Sequence, residues 1–152
     1  MSNALEGLHW KLRSILPSLG YERLLPVQEK AIPVILSGHH TLIVAPTGSG
    51  KTEAALLPIL SMMLWEQERG TLGGGIKVVY VTPLRALNRD IASRIERLAG
   101  SVGFTVQVRH GDTGPSDRRR FLESPPDIVI TTPESLNLLL TLRDYRSLWS
   151  NV

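Results

Sequence analysis

Residues 45–52 read Ala45-Pro46-Thr47-Gly48-Ser49-Gly50-Lys51-Thr52, and the rest of the chain makes sense around them. Thr41-Leu42-Ile43-Val44 precedes them; short, apolar and partly β-branched, it predicts a strand. Glu53-Ala54-Ala55-Leu56-Leu57 follows them and predicts a helix that opens at Lys51. A strand, a glycine-rich turn and Lys-Thr at a helix start form the context in which a loop cradles phosphate. Gly48 and Gly50 let backbone N–H groups converge where a Cβ would obstruct them. The first helical turn adds unpaired N–H groups and the positive end of its dipole. Lys51 then reaches the β- and γ-phosphates, and the Thr52 hydroxyl ligates Mg²⁺. The match departs from the general pattern at Ala45, where a glycine is usual. The competing reading is a glycine-rich strand-to-helix turn with an unrelated lysine.

The totals bound the alternatives. A chain of 152 residues suits one domain of ordinary size. With 42% hydrophobic and 20% charged residues it is globular. Seventeen basic and 14 acidic side chains leave a net charge of +3, too small alone to argue for nucleic acid. Cysteine is absent, which excludes disulfides and thiolate metal sites and leaves the cytoplasm as the default compartment. Met1-Ser2-Asn3-Ala4-Leu5-Glu6 is not a signal peptide, and no apolar run approaches the roughly 20 residues of a membrane span.

Leu5, Leu8, Leu12, Ile15 and Leu16 predict one amphipathic helix over residues 3–18, with Asn3 as cap. A second helix starts at Pro26 and stops before Ser37-Gly38. The helix from Lys51 runs to about Arg69, with a kink or a broken hydrogen bond expected at Pro58. Gly70 to Gly75 reads as a flexible connection. Residues 76–81, 104–108 and 127–131 predict three more strands, the middle one alternating enough to lie nearer an edge. Thr82-Pro83 and Thr132-Pro133 each place a capping hydroxyl and a proline at a helix start. A short basic helix spans about 115–122, and residues 144–152 are ambiguous. Strands alternating with helices give a three-layer α/β/α fold on a parallel sheet, of the P-loop NTPase type. Function in such sheets gathers at the carboxyl ends of the strands.

Four stretches in order resemble superfamily 2 helicases, within them the Lhr-like group and more loosely the DEAD-box proteins. Leu25-Pro26-Val27-Gln28-Glu29-Lys30-Ala31-Ile32-Pro33 is similar to the Q motif. Ala45 to Thr52 is similar to motif I, which in that family tolerates alanine first. Thr82-Pro83-Leu84-Arg85-Ala86-Leu87 resembles motif Ia, and Thr131-Thr132-Pro133-Glu134-Ser135-Leu136 resembles motif Ib. Arg109-His110-Gly111-Asp112-Thr113 is also similar to the Lhr-like group. The resemblance implies a RecA-like domain and an ATP-driven motor on DNA or RNA. It implies that ATP and Mg²⁺ meet Gln28, Ala45, Pro46, Thr47, Gly48, Ser49, Gly50, Lys51, Thr52 and Glu53, with Lys51 and Thr52 catalytic. It implies nucleic-acid contacts at Pro83, Leu84, Arg85, Gly111, Asp112, Thr132, Pro133 and Glu134. An amide such as Gln28 suits the N6 donor and N7 acceptor of adenine, the alternative being a polar residue facing water. Plain capping competes at Thr132. Arg118, Arg119 and Arg120, with Arg109 and Arg97, either track a phosphate backbone or form a solvated helix face.

A P-loop motor also needs an acidic pair after an apolar strand, to hold Mg²⁺ and polarise water. None of the four apolar runs is followed by Asp-Glu. The expectation is therefore a truncated first RecA-like domain, residues 1–152, without motif II or the second motor domain. It binds nucleotide, hydrolyses little, and is marginal or self-associates through an unpaired sheet edge. Two other classes remain: a P-loop ATPase or kinase acting on small molecules, and a nucleotide-binding module without motor activity.

Overall fold

The structure, a computed structural model, describes residues 3–83, 89–109 and 115–152. Its chain divides into two units, Met1–Leu72 and Gly73–Val152.

The first unit is helical. The helix expected over residues 3–18 is broken into α1 (Asn3–Glu6) and α2 (Trp10–Ile15), followed by a 3-10 turn over Pro17–Leu19. The break has a local cause. Gly7 is a poor helix former, and His9 is the N-cap of α2, its Nδ1 accepting the Lys11 N–H at 3.2 Å. Asn3 is the first helical residue rather than a cap. Leu8, Leu12 and Leu16 are still all buried. Helix α3 (Pro26–Leu36) opens on the predicted proline. Helix α4 (Lys51–Arg69) ends at Gly70, whose φ of +71° is left-handed. Pro58 lies inside α4 and offers no N–H to the Ala54 carbonyl, yet the helix continues through it. α3 packs against α4 and α1, around the sealed Ile32, Ala54, Leu57 and Leu60.

His9 ties α2 to α4. Its backbone N–H donates to Ser61 Oγ at 3.0 Å, and its Nε2 lies 3.0 Å from Glu68 Oε1. Glu68 Oε1 also accepts the Trp10 indole N–H at 3.0 Å. The hydrogen bonds from His9 and then Trp10 hold the Glu68 carboxyl below its ordinary range.

The second unit alternates β1 (Val78–Val81), α5 (Arg89–Ser101), β2 (Val106–Arg109), α6 (Pro115–Glu123), β3 (Ile128–Thr131) and α7 (Pro133–Thr141). A 3-10 helix over Arg143–Trp149 follows. The strands are parallel in the order β1-β3-β2, with Val78, Ile128 and Val106 in register. β3 is central and wholly buried, and β2 lies at an edge, as its alternation predicts. The chain passes from β1 to β2 and then back to β3, so right-handed crossovers put α5 and α6 on opposite faces. Val129 packs on one face with Phe121, Leu139, Tyr145 and Leu148. Ile128 and Ile130, 0% exposed, face the other way. This is the parallel, layered α/β arrangement expected of a RecA-like domain.

Asp127 joins the amino ends of all three strands. Its carbonyl accepts the Lys77 and Val78 N–H groups, and its Oδ2 accepts the Thr105 N–H at 2.8 Å. Lys77 Nζ lies 3.7 Å from its Oδ1.

Two expectations need correction. Thr41–Val44 is irregular and pairs with no strand among the described residues; Leu42 and Val44 are 88% and 85% exposed. Apolar, β-branched residues specify a strand only where a neighbouring ladder receives them. The glycine connection is not loose at its carboxyl end. Ile76 N–H donates to the Leu148 carbonyl at 3.2 Å, and Asn151 Nδ2 donates to the Gly74 carbonyl at 2.5 Å. The ambiguous carboxyl-terminal residues thus form the 3-10 helix that fixes this segment.

Because Glu68 titrates below its unfolded value, its contribution to stability is present above the ordinary carboxylate range and is lost as pH falls through the lowered value. Glu68→Gln is therefore expected to flatten the acid limb of a plot of Tm against pH, measured by calorimetry.

Candidate functional site

Residues 45–50 lead into α4 as a compact loop. Ser49 N–H donates to the Pro46 carbonyl at 3.3 Å, closing the turn. Gly48 and Gly50 have φ of +77° and +87°, left-handed values that L side chains rarely adopt. Gly50 is the N-cap of α4, and an added Cβ would lie 2.6 Å from Gln28 Nε2 and 2.9 Å from Leu25 Cδ1. The glycine is therefore required twice, by its backbone and by what packs on it.

Lys51 folds over the loop. Its Nζ donates to the Ala45 and Pro46 carbonyls, at 2.7 Å each. An ammonium held by two neutral carbonyls, at the open end of a helix, is a cation positioned for an anion. Ser49 Oγ is buried with no hydrogen-bond partner among the described residues. Ala45 is half-buried, Pro46, Thr47 and Gly48 are exposed, and Thr52 is half-buried in the first turn of α4. Among the described residues, no cluster of three His, Asp or Glu side chains could hold a metal ion. For Mg²⁺ this loop therefore offers the Thr52 hydroxyl, with phosphate and water as natural complements.

Gln28 is 2% exposed and both ends of its amide are engaged. Oε1 accepts the Leu25 N–H at 2.8 Å, closing the start of α3, and Nε2 donates to the Gly50 carbonyl at 3.4 Å. The residue bridges the two predicted nucleotide motifs rather than facing water. Glu53, 3% exposed, accepts the Tyr21 hydroxyl at 3.3 Å. No periodicity in the sequence pointed to Tyr21. A cleft of about 410 Å³ between α3 and residues 40–44 is lined by Val27, Lys30, Ala31, Val34, Leu42 and Val44 among others, and by none of residues 45–53.

The second unit carries the other predicted positions. Thr82 is buried at the end of β1, its N–H donating to the Thr131 carbonyl at 3.0 Å, and Pro83 is exposed. Leu84, Arg85, Gly111 and Asp112 lie outside the described residues. Thr132 caps α7: its Oγ1 accepts the Ser135 N–H at 3.3 Å and donates to Ser135 Oγ at 3.1 Å. Pro133 has no N–H, and Leu136 N–H is bonded to the Thr132 carbonyl. Of the first turn this leaves the Glu134 N–H without an acceptor among the described residues. The basic residues separate. Arg119 is exposed and paired with Glu123 at 2.6 Å, and Arg120 is exposed. Arg109 is only 3% exposed, its Cζ 4.6 Å from the Phe121 ring centroid.

A family model described as DEAD/DEAH box helicase matches residues 25–152. A curated relative, the Lhr helicase/probable uracil glycosylase of Mycolicibacterium smegmatis, is 43% identical over 131 residues, covering 76% of this chain and 8% of its own length. A solved structure of Mycobacterium smegmatis helicase Lhr bound to ssDNA and AMP-PNP is 38% identical with a TM-score of 0.67, covering 93% of this chain and 19% of that one. The RNA helicase Prp28 of Chaetomium thermophilum bound to ADP is 31% identical with a TM-score of 0.72, covering 95% and 35%. The chain thus spans less than two thirds of each of these proteins.

Gly50→Ala is expected to cost about 1–3 kcal/mol in chemical denaturation, through a left-handed backbone and displacement of Gln28. Gly48→Ala, where nothing lies within 4 Å of the added Cβ, should cost less.

Proposed function

The chain belongs to the DEAD/DEAH box helicase family, and from that premise we propose that it is the ATP-binding part of an ATP-dependent helicase or translocase on DNA or RNA. The observation that carries this is Lys51, whose ammonium rests on the Ala45 and Pro46 carbonyls inside a glycine loop at a helix start. In this reading Lys51 leaves those carbonyls for the β- and γ-phosphates of ATP. The Lys51 and Thr52 N–H groups, which have no intrahelical acceptor, face the same anion. The Thr52 hydroxyl supplies Mg²⁺ with one ligand. Gln28 offers its amide to adenine, which requires it to release Leu25 or Gly50. Base binding and the fit of the loop are then coupled through one side chain.

Pro83, Leu84, Arg85, Gly111, Asp112, Thr132, Pro133 and Glu134 form the nucleic-acid side of the same reading. The open Glu134 N–H at the start of α7 suits a phosphate oxygen, while the Thr132 hydroxyl acts by fixing the turn. Residues 1–152 are read as the amino-terminal part of the first RecA-like domain, with the Q motif and motifs I, Ia and Ib. None of β1, β2 or β3 is followed by Asp-Glu, so hydrolysis by this chain alone is expected near background. The same fact supports the second reading, a nucleotide-binding module without motor activity. A small-molecule ATPase or kinase has no use for the turns after β1 and β3. Among the described residues no helix is long and apolar enough to cross a membrane, and the reading assigns a cytoplasmic location.

Lys51→Ala is expected to weaken binding of a fluorescent ATP analogue by at least about tenfold, since each lost charge-assisted hydrogen bond is worth about 1.5–3 kcal/mol. Binding at the affinity of the unsubstituted chain would contradict the phosphate assignment. Rapid phosphate release by the pure chain would refute the expected inactivity. The outer strands β1 and β2 of the three-stranded sheet support self-association through an unpaired sheet edge. Light scattering at rising concentration should report more than the monomer mass, and a monomer throughout removes that part.

A further inference from the structure

Arg109 is a buried cation with no ion-pair partner among the described residues. It is 3% exposed, its Nη1 finds no acceptor there, and its guanidinium lies over Phe121, itself sealed in the core of the second unit. Stacking on a ring offsets only part of what a charge loses with its water. Its position in the sheet is specific. Arg109 ends β2 and is the register partner of Thr131, which ends β3. Thr131 Oγ1 is likewise buried without a hydrogen-bond partner among the described residues. Side chains of register partners project to the same face. A guanidinium and a hydroxyl that the described residues leave without partners therefore lie side by side at the carboxyl rim, one residue before Thr132 caps α7.

We propose that Arg109 is a fixed positive charge beneath the start of α7 that strengthens the grip of this turn on a nucleic-acid phosphate. The inference rests on the reading of that turn as a nucleic-acid contact. Arg109 is too enclosed to grasp a strand from solvent, and it acts as a positioning residue through the field. It is only 3% exposed, so its charge is weakly screened. A packing role alone makes the opposite demand, because an apolar side chain of similar length is no worse there than an unpaired charge.

The test uses the intact protein with single-stranded DNA and RNA oligonucleotides, read by fluorescence anisotropy over a range of salt. For Arg109→Met the dissociation constant should rise about five- to tenfold with the salt slope kept, because Arg109 itself displaces no counterion from the strand. Its Tm should stay level or rise, and Arg109→Lys should keep most of the original affinity. An unchanged affinity in Arg109→Met, or a salt slope lowered by about one, overturns the inference and leaves the proposed function standing. Failure of the unsubstituted protein to bind either oligonucleotide removes both. Where Arg109→Met does not fold, Arg109→Lys decides: the original affinity with a lowered Tm supports the charge, and a loss of affinity of about five- to tenfold overturns it.

Discussion

The first turn of α4 depends on a glycine whose place any side chain would strain. Gly50 turns left-handed, and its bare Cα lets Gln28 and Leu25 close on the loop. That contact fixes where α4 begins, and hence where Lys51 stands. Lys51 in turn lies across the Ala45 and Pro46 carbonyls, which makes the loop a closed ring around an ammonium. The nucleotide side of the proposed function follows from this junction. A cation satisfied by neutral acceptors exchanges them readily for an anion.

Both units keep buried polar atoms that the described residues do not satisfy. In the first, Gln28 holds α3 and Gly50, and Tyr21 holds Glu53, while Ser49 Oγ in the loop has no partner among the described residues. His9 lies against Glu68 at the far side of α4. In the second, the carboxyl rim of the sheet keeps polar groups that the described residues do not satisfy, Arg109 Nη1 and Thr131 Oγ1. Buried polar atoms without partners are uncommon in folded chains. Their place at the strand ends, where ligands of parallel sheets bind, gives them a physical reason.

Much of this was legible from local pattern. The prolines and glycines that bound α3 and α4 set both helices within a residue of the expected limits. The apolar runs behind β1, β2 and β3 fixed a parallel sheet, and the alternation of β2 fixed its edge position. What failed was decided by partners distant in sequence. Thr41–Val44 has strand composition, but a ladder is made by a neighbour, not by composition. The break between α1 and α2 is local instead: Gly7 and the His9 cap of α2 outweigh the leucine spacing. Arg109 reads as surface charge until α6 brings Phe121 under it.

The central claim is that the loop before α4 seats a triphosphate and that Lys51 is its counter-charge. A crystal structure of the chain with a non-hydrolysable ATP analogue and Mg²⁺ tests this directly. The account predicts Lys51 Nζ moved from the Ala45 and Pro46 carbonyls onto phosphate oxygens, with the first amides of α4 turned to the same group. A nucleotide bound elsewhere, with both carbonyl bonds of Lys51 intact, would contradict it.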